Sequence, residues 1–208
     1  MLKALIHFSA LLPAVIMYYL AILDRLGADP VEQIIHFTGI SGLNVLLLTL
    51  SVTPLAKTFR QGWLMQVRRL LGLYGFFYAC LHILSFLFFE LQFDFSLFID
   101  EVIKRPYISI GMLAFILLLA LAITSLNPLK RLMGKRWQWL HNFNYLLVAL
   151  VCIHFYWSVK SAVYQPLLYI AILLGLLWFR KDKFQRWFQR TDKVKLADQK
   201  QSADKSIK

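Results

Sequence analysis

Six stretches of this chain contain no Asp, Glu, Lys or Arg: residues 5–23, 37–56, 70–89, 106–126, 137–159 and 161–179. Only 16% of all residues are charged and 59% are hydrophobic, where soluble domains carry about a quarter charged residues. A membrane helix needs about 20 apolar residues, within a range of roughly 17–25, and all six stretches qualify. They show none of the strict alternation of barrel strands, which excludes a β-barrel. No acid falls inside any of them, which argues against a proton-coupled transporter. HExxH, GxSxG, Walker A and CxxCH motifs are absent. The chain has two cysteines, Cys80 and Cys152, and no CxxC, so a thiol relay is unsupported and both read as small apolar filler.

The charges that remain are distributed unevenly. Of the 23 Lys and Arg, 19 fall at the N-terminus, in the 57–69 and 127–136 connections and in the tail from Arg180. The other connections hold Arg25, Lys104, Arg105 and Lys160, together with seven of the eleven acids. The positive-inside rule therefore predicts an all-α, polytopic bundle of six transmembrane helices with both termini cytoplasmic. The net charge of +12 is then a topology signal, and nucleic-acid binding is not indicated. The first apolar run is too long for a cleaved leader and reads as a retained helix. Residues 1–179 form one membrane domain. Residues 180–208 form a basic cytoplasmic tail, with Trp178, Phe179, Phe184, Trp187 and Phe188 suited to the lipid surface and a disordered end. A tail of this length cannot fold a flavin or nicotinamide domain. Gly27-Ala28-Asp29-Pro30 is a turn signal before the second span, and the 93–105 connection has room for a short interfacial helix.

Within these apolar stretches lie three histidines, His82, His141 and His154. A titratable ring in hydrocarbon is costly and marks a functional site by default. His82 lies about 18 Å and His154 about 22 Å from the cytoplasmic edge at 1.5 Å per residue. Two imidazoles at one depth, on two helices, suit a six-coordinate haem iron. The lack of CxxCH makes that haem b-type. The alternative is that each ring only bridges helices. His141 precedes His154 by 13 residues, about 20 Å along a helix, and the two rings point roughly 140° apart on a straight one. Either that helix starts irregularly or the rings face different neighbours. His141 accordingly reads as a ligand of a second haem or as an interfacial histidine. His36 lies on the opposite side, open to docking, to a quinone headgroup or to plain solvation; His7 carries little signal. Arg68 and Arg69 open the third stretch and suit haem propionates, a flavin phosphate or simple anchoring. Trp137, Trp139 and Trp157 suit interfacial belts. Gly72 and Gly75 suit close approach by a macrocycle or a helix.

Taken together, LGADPVEQIIHFTG (26–39), RRLLGL with the following LH (69–82), KRPYISIG (104–111), MGKRWQWLHNFNYL (133–146) and HFYWSVK (154–160) resemble the MsrQ (YedZ) family, within the wider ferric reductase and NADPH oxidase transmembrane group. That resemblance implies an inner-membrane protein with one or two b-type haems and an associated FMN. It implies electrons taken from the quinone pool or a cytosolic flavin reductase and passed to a periplasmic molybdopterin subunit that reduces methionine sulfoxide in oxidised proteins. His82, His141 and His154 match the family's haem histidines. In the wider group the third helix carries an earlier histidine; here that position is Arg68. The rival readings are a stand-alone reductase of the ferric reductase type and a small transporter or scaffold without a chromophore.

Overall fold

The structure, a computed structural model, describes residues 2–159, 161 and 163–180. All regular structure among them is helical: α1 (Leu2–Ile22), α2 (Pro30–Thr58), α3 (Arg68–Ser85), α4 (Phe95–Lys104), α5 (Pro106–Ile123), α6 (Asn127–Met133), α7 (Lys135–Asn142), α8 (Asn144–Ser158) and α9 (Tyr164–Trp178). A 3-10 turn, Gly62–Gln66, leads into α3, and a single π turn, Phe86–Glu90, extends it.

Local chemistry sets the helix starts. Asp29 caps α2 by accepting the Glu32 backbone N–H at 2.9 Å, with Pro30 in the first turn and Glu32 at the positive end of the helix dipole. Asp94 caps α4 in the same way through Leu97 N–H, at 2.9 Å. On α4 the pairs Asp100–Lys104 (2.6 Å) and Glu101–Arg105 (2.7 Å) lie one turn apart. Phe95, Ile99 and Ile103 form an exposed stripe on α4, and none of its residues is buried. That is the pattern of a helix lying along a membrane interface. Gly27 takes a left-handed φ of +85° in the turn before α2.

Four helices among the described residues are long and apolar enough to cross a bilayer: α1, α2, α3 with its π turn, and α5. The other two predicted spans differ. The 137–159 stretch is divided at Phe143 into α7 and α8, and α8 and α9 have 15 residues each. Asn142 and Asn144 flank the break, and asparagine side chains compete with helical backbone bonding; Gln138 donates to Asn142 at 3.1 Å. Of the predicted tail, Arg180 is described and buried, and Phe184, Trp187 and Phe188 lie outside the described residues.

The core is built on α2, α5 and α8, from Leu43, Leu46, Leu47 and Leu50, Ala114, Leu118 and Leu121, and Leu147, Val148 and Cys152. Cys152 is buried and Cys80 partly so, and both thiols are free, as expected of filler. Gly75 packs against Leu46 and Gly72 against Thr49, where both serve the approach of α3 to α2. α1 lies at the periphery, with only Ala14 buried. Three polar contacts tie it to α3: His7 Nδ1 with Tyr74 OH at 2.5 Å, Tyr78 OH donating to Ala10 O at 2.6 Å, and Tyr18 OH with Ser85 Oγ at 2.7 Å. Replacing Tyr78 by Phe removes one of them. Such bonds in membranes contribute about 0.6 kcal/mol on average, so a small fall in unfolding temperature in detergent is expected. A fall as large as that of a core Leu→Ala change would contradict this peripheral role for α1.

Candidate metal centre

α2 and α5 start at the acidic end of the bundle, and α3 and α8 run back toward that end. Near it, His82 on α3 meets α2 and His154 on α8 meets α5. His82 Nδ1 bonds the Ile35 carbonyl at 2.9 Å, and His154 Nδ1 bonds the Tyr107 carbonyl at 2.7 Å. Thr38 Oγ1 also reaches Ile35 O, at 3.0 Å. A carbonyl only accepts, so each Nδ1 carries the proton and donates it. This fixes the tautomer and leaves Nε2 with a free lone pair. Among the described residues neither Nε2 has a hydrogen-bond partner.

The two rings face each other across the bundle, with centroids 6.2 Å apart and planes at 84°. Metal–imidazole bonds are about 2.0 Å, so one metal ion bonded to both rings holds their centroids about 6 Å apart. The observed centroid separation of 6.2 Å is of that size. Among the described residues no three of His, Cys, Asp and Glu converge, so what is available is a pair of neutral imidazoles. Two neutral imidazoles are a donor set suited to the iron of a b-type haem, and His82 and His154 are the residues that would hold it. Tyr107 lies 6.1 Å from His154, and elsewhere between α3 and α5 Phe76 stacks on Phe115 at 6.0 Å.

The glycines at this site were not singled out from sequence. A Cβ at Gly39 would sit 3.1 Å from His82 Cε1 and Nδ1, and a Cβ at Gly111 would sit 2.8 Å from His154 Nδ1. Both glycines end stretches that carry the family resemblance, yet an isolated helical glycine gives no signal of what it faces.

His141 lies apart from this pair. It stacks on Trp137 (4.1 Å, 27°), and its Nε2 is 3.2 Å from Thr124 Oγ1. Trp137 Nε1 donates to Thr124 O at 2.9 Å, and Lys130 lies 4.7 Å from the Trp137 ring centre. Trp137 is thus engaged with the histidine rather than standing free in a belt. Of the two alternatives for the angular misfit, the irregular helix is what the structure shows: the helix is broken at Phe143, and His141 and His154 contact one neighbour, α5, near its opposite ends. Arg68 and Lys130 are the charged neighbours of His141. Arg68 and Arg69 diverge. Arg68 is half-buried and close to Arg180 and Tyr145, whereas Arg69 is exposed and bonds Asn127 Oδ1 at 2.7 Å. Arg180 was read from sequence only as the start of the tail. Its guanidinium donates to Tyr145 OH and, at 2.8 Å, to Leu50 O, and lies 5.3 Å from the Tyr145 ring centre. His36 is exposed at the acidic end and touches Phe155 edge-on at 6.1 Å.

The profile of a family described as "Ferric reductase like transmembrane component" matches residues 37–152. The chain is 44% identical over 189 residues to the "Protein-methionine-sulfoxide reductase heme-binding subunit MsrQ" of Klebsiella pneumoniae, covering 90% of this chain and 94% of that one. Relatives with the same description occur in Pectobacterium carotovorum (44% over 191 residues, 90% and 95% covered) and Herminiimonas arsenicoxydans (42% over 200 residues, 95% and 91% covered). No solved structure matches the chain.

Tyr145→Phe removes the hydroxyl that receives Arg180. Hydrogen bonds to charged groups contribute about 1.5–3 kcal/mol, and unfolding in detergent should shift to match. An unchanged midpoint would show that Arg180 draws its hold from Leu50 O and the ring face alone.

Proposed function

The chain belongs to the MsrQ family of heme-binding subunits, within the ferric-reductase-like transmembrane components, and we propose that it is a membrane electron-transfer subunit carrying a b-type haem between His82 and His154. The observation that carries this reading is the facing pair of imidazoles, 6.2 Å apart, each with Nδ1 held by a helix carbonyl. Haem supplies reversible one-electron chemistry when bound. The chain's residues supply the rest. His82 and His154 would hold the iron through Nε2, and the carbonyls of Ile35 and Tyr107, which accept from Nδ1, would keep their rings in place and raise their basicity. With two protein ligands and no open position, such a site would suit electron transfer rather than chemistry on a substrate.

In this reading the bundle has six helices across the bacterial inner membrane, with α7–α8 and α9 completing it. The basic end is cytoplasmic and the acidic end periplasmic. The His82–His154 pair then lies nearer the periplasm, where a molybdopterin-containing methionine sulfoxide reductase subunit collects electrons. A hydrocarbon core of about 30 Å is long for one electron hop, so a second group at the cytoplasmic end shortens it. His141, Arg68 and Arg180 support that role. Arg68 makes no hydrogen bond or ion pair among the described residues, and it suits the phosphate of FMN or a haem propionate. Arg69, tied to Asn127, is left to anchoring. The electrons come from the quinone pool or a cytosolic flavin reductase.

Visible spectra of the detergent-purified protein, oxidised and then reduced, test the reading, with haem counted per chain by pyridine haemochrome. The expected spectrum is b-type, and His82→Ala or His154→Ala should each abolish the bis-histidine haem signal. The full spectrum retained in both variants would sink the assignment. No chromophore at all would favour a scaffold. Reoxidation of the reduced protein only when the periplasmic subunit and methionine sulfoxide are both present separates this role from a stand-alone reductase.

A further inference from the structure

We propose that Gly39 and Gly111 are positioning residues, and that with the carbonyls of Ile35 and Tyr107 they form two copies of one histidine seat that fixes the rotation of both haem-ligating rings. The proposal rests on the haem reading of the His82–His154 pair and goes beyond it.

The two seats share one plan. In each, a histidine Nδ1 donates to the carbonyl of residue i on the neighbouring helix, and a glycine occupies position i+4. Ile35 and Gly39 lie within α2, and Tyr107 and Gly111 within α5. In an α-helix the carbonyl of residue i already accepts from the N–H of residue i+4. The histidine must therefore use the carbonyl's second lone pair; at Ile35 it shares this with Thr38 Oγ1, whose shorter bond, 2.8 Å, goes to Ile34 O. The Cα–Cβ bond of residue i+4 tilts toward the helix N-terminus, over that same carbonyl. Any Cβ there stands in the path of the ring, and glycine alone leaves it clear. The measured spaces agree: 3.1 Å from a Gly39 Cβ to His82, and 2.8 Å from a Gly111 Cβ to His154.

Each ring is thereby held by a hydrogen bond at its edge and by a helix backbone against its atoms. Neither turns without losing one or striking the other. The 84° between the ring planes is then set by how α2–α3 and α5–α8 are arranged, not by the porphyrin. Rings held in this way keep one orientation in both oxidation states, which preorganises the site for electron exchange.

The test uses the full chain, purified with haem in detergent, and electron paramagnetic resonance of its ferric state. The largest g value of a low-spin haem with two axial imidazoles depends on the angle between their planes. Four substitutions are compared: Gly39→Ala, Gly111→Ala, Gly75→Ala and Gly175→Ala. A Cβ at Gly75 comes as close, 2.8 Å, but to the flexible end of Leu46, and one at Gly175 meets nothing within 4 Å. Gly111→Ala is expected to shift the largest g value, or to lower haem content while Gly75→Ala keeps it. Gly39→Ala is expected to keep haem and shift the g value less. Gly75→Ala and Gly175→Ala should match the parent. Parent g values and full haem in both Gly39→Ala and Gly111→Ala, or an equal shift in Gly75→Ala, would overturn the proposal. His82→Ala and His154→Ala, measured in parallel, separate the two levels. Loss of the low-spin signal there with unchanged glycine variants overturns the seats alone, and an unchanged signal there overturns the haem assignment itself.

Discussion

An imidazole N–H placed in hydrocarbon has no water to donate to, and the cost of leaving it unpaired is several kcal/mol. Much of this bundle follows from how that constraint is met twice. His82 and His154 both donate to the main-chain carbonyl of a neighbouring helix rather than to a side chain. A carbonyl inside a helix is an acceptor that no rotamer change can withdraw. Using it requires that α3 lie close on α2, and α8 close on α5, at heights fixed by Ile35 and Tyr107. Gly42 and Gly75 continue the first of these approaches, in contact with Tyr78 and Leu46. The buried leucines of α2, α5 and α8 then fill the space below the histidines. The same contacts that satisfy the donors leave both Nε2 atoms available as ligands, so packing and chemistry share one solution.

At the basic end the constraint is charge rather than donors. Arg180 is buried, yet its guanidinium finds a phenol, a carbonyl and an aromatic face. Buried cations persist when their donors are matched in this way. Arg68 lies close by, half-buried, and has no such set of partners among the described residues. Two guanidiniums thus leave positive potential beside His141 at the mouth of the bundle. His141 and His154 contact Thr124 and Tyr107 at the two ends of one α5 segment, 17 residues apart. At 1.5 Å per residue that is about 25 Å, most of a hydrocarbon core. α5 therefore spans the distance between the basic end and the paired histidines.

How much of this was legible in the sequence depends on the length scale. The matched depths of His82 and His154 follow from counting residues from a charged edge, and the structure brings the two rings together. The turn at 27–30 and room for a short helix in the 93–105 connection were equally readable, because such signals act over a few residues, whereas the capping by Asp29 and Asp94 emerged only from the structure. The break at Phe143 was visible only as an angular misfit, and its place was not. Gly39 and Gly111 were missed, and Gly72 and Gly75 were noted as a weak signal for a macrocycle or a helix. What a glycine faces depends on a helix that lies more than forty residues away. Arg180 was missed for a related reason: the first basic residue after an apolar run ordinarily points to water, and only tertiary packing turns this one inward.

The spacing of the two seats contains a regularity that single-residue reading hides. His82 follows Ile35 by 47 residues, and His154 follows Tyr107 by the same 47. The routes between are unlike: α2 passes through one 3-10 turn into α3, whereas α5 passes through α6 and α7 before α8. Equal separations over unequal connections point to the constraint at the seats rather than to the loops. Each pair is a down-and-up excursion that must return its histidine to the height of its carbonyl near the same end of the bundle. If the return fell one residue short, the ring would move about 1.5 Å along the axis and about 100° around it, off both the carbonyl and the opposite ring. The 3-10 turn before α3 and the helix break before α8 are places on the two routes where the backbone departs from regular α geometry. Such departures shift the register of a helix without lengthening the bundle. Two excursions closed to the same height, rather than any single motif, bring the rings of His82 and His154 together, with centroids 6.2 Å apart.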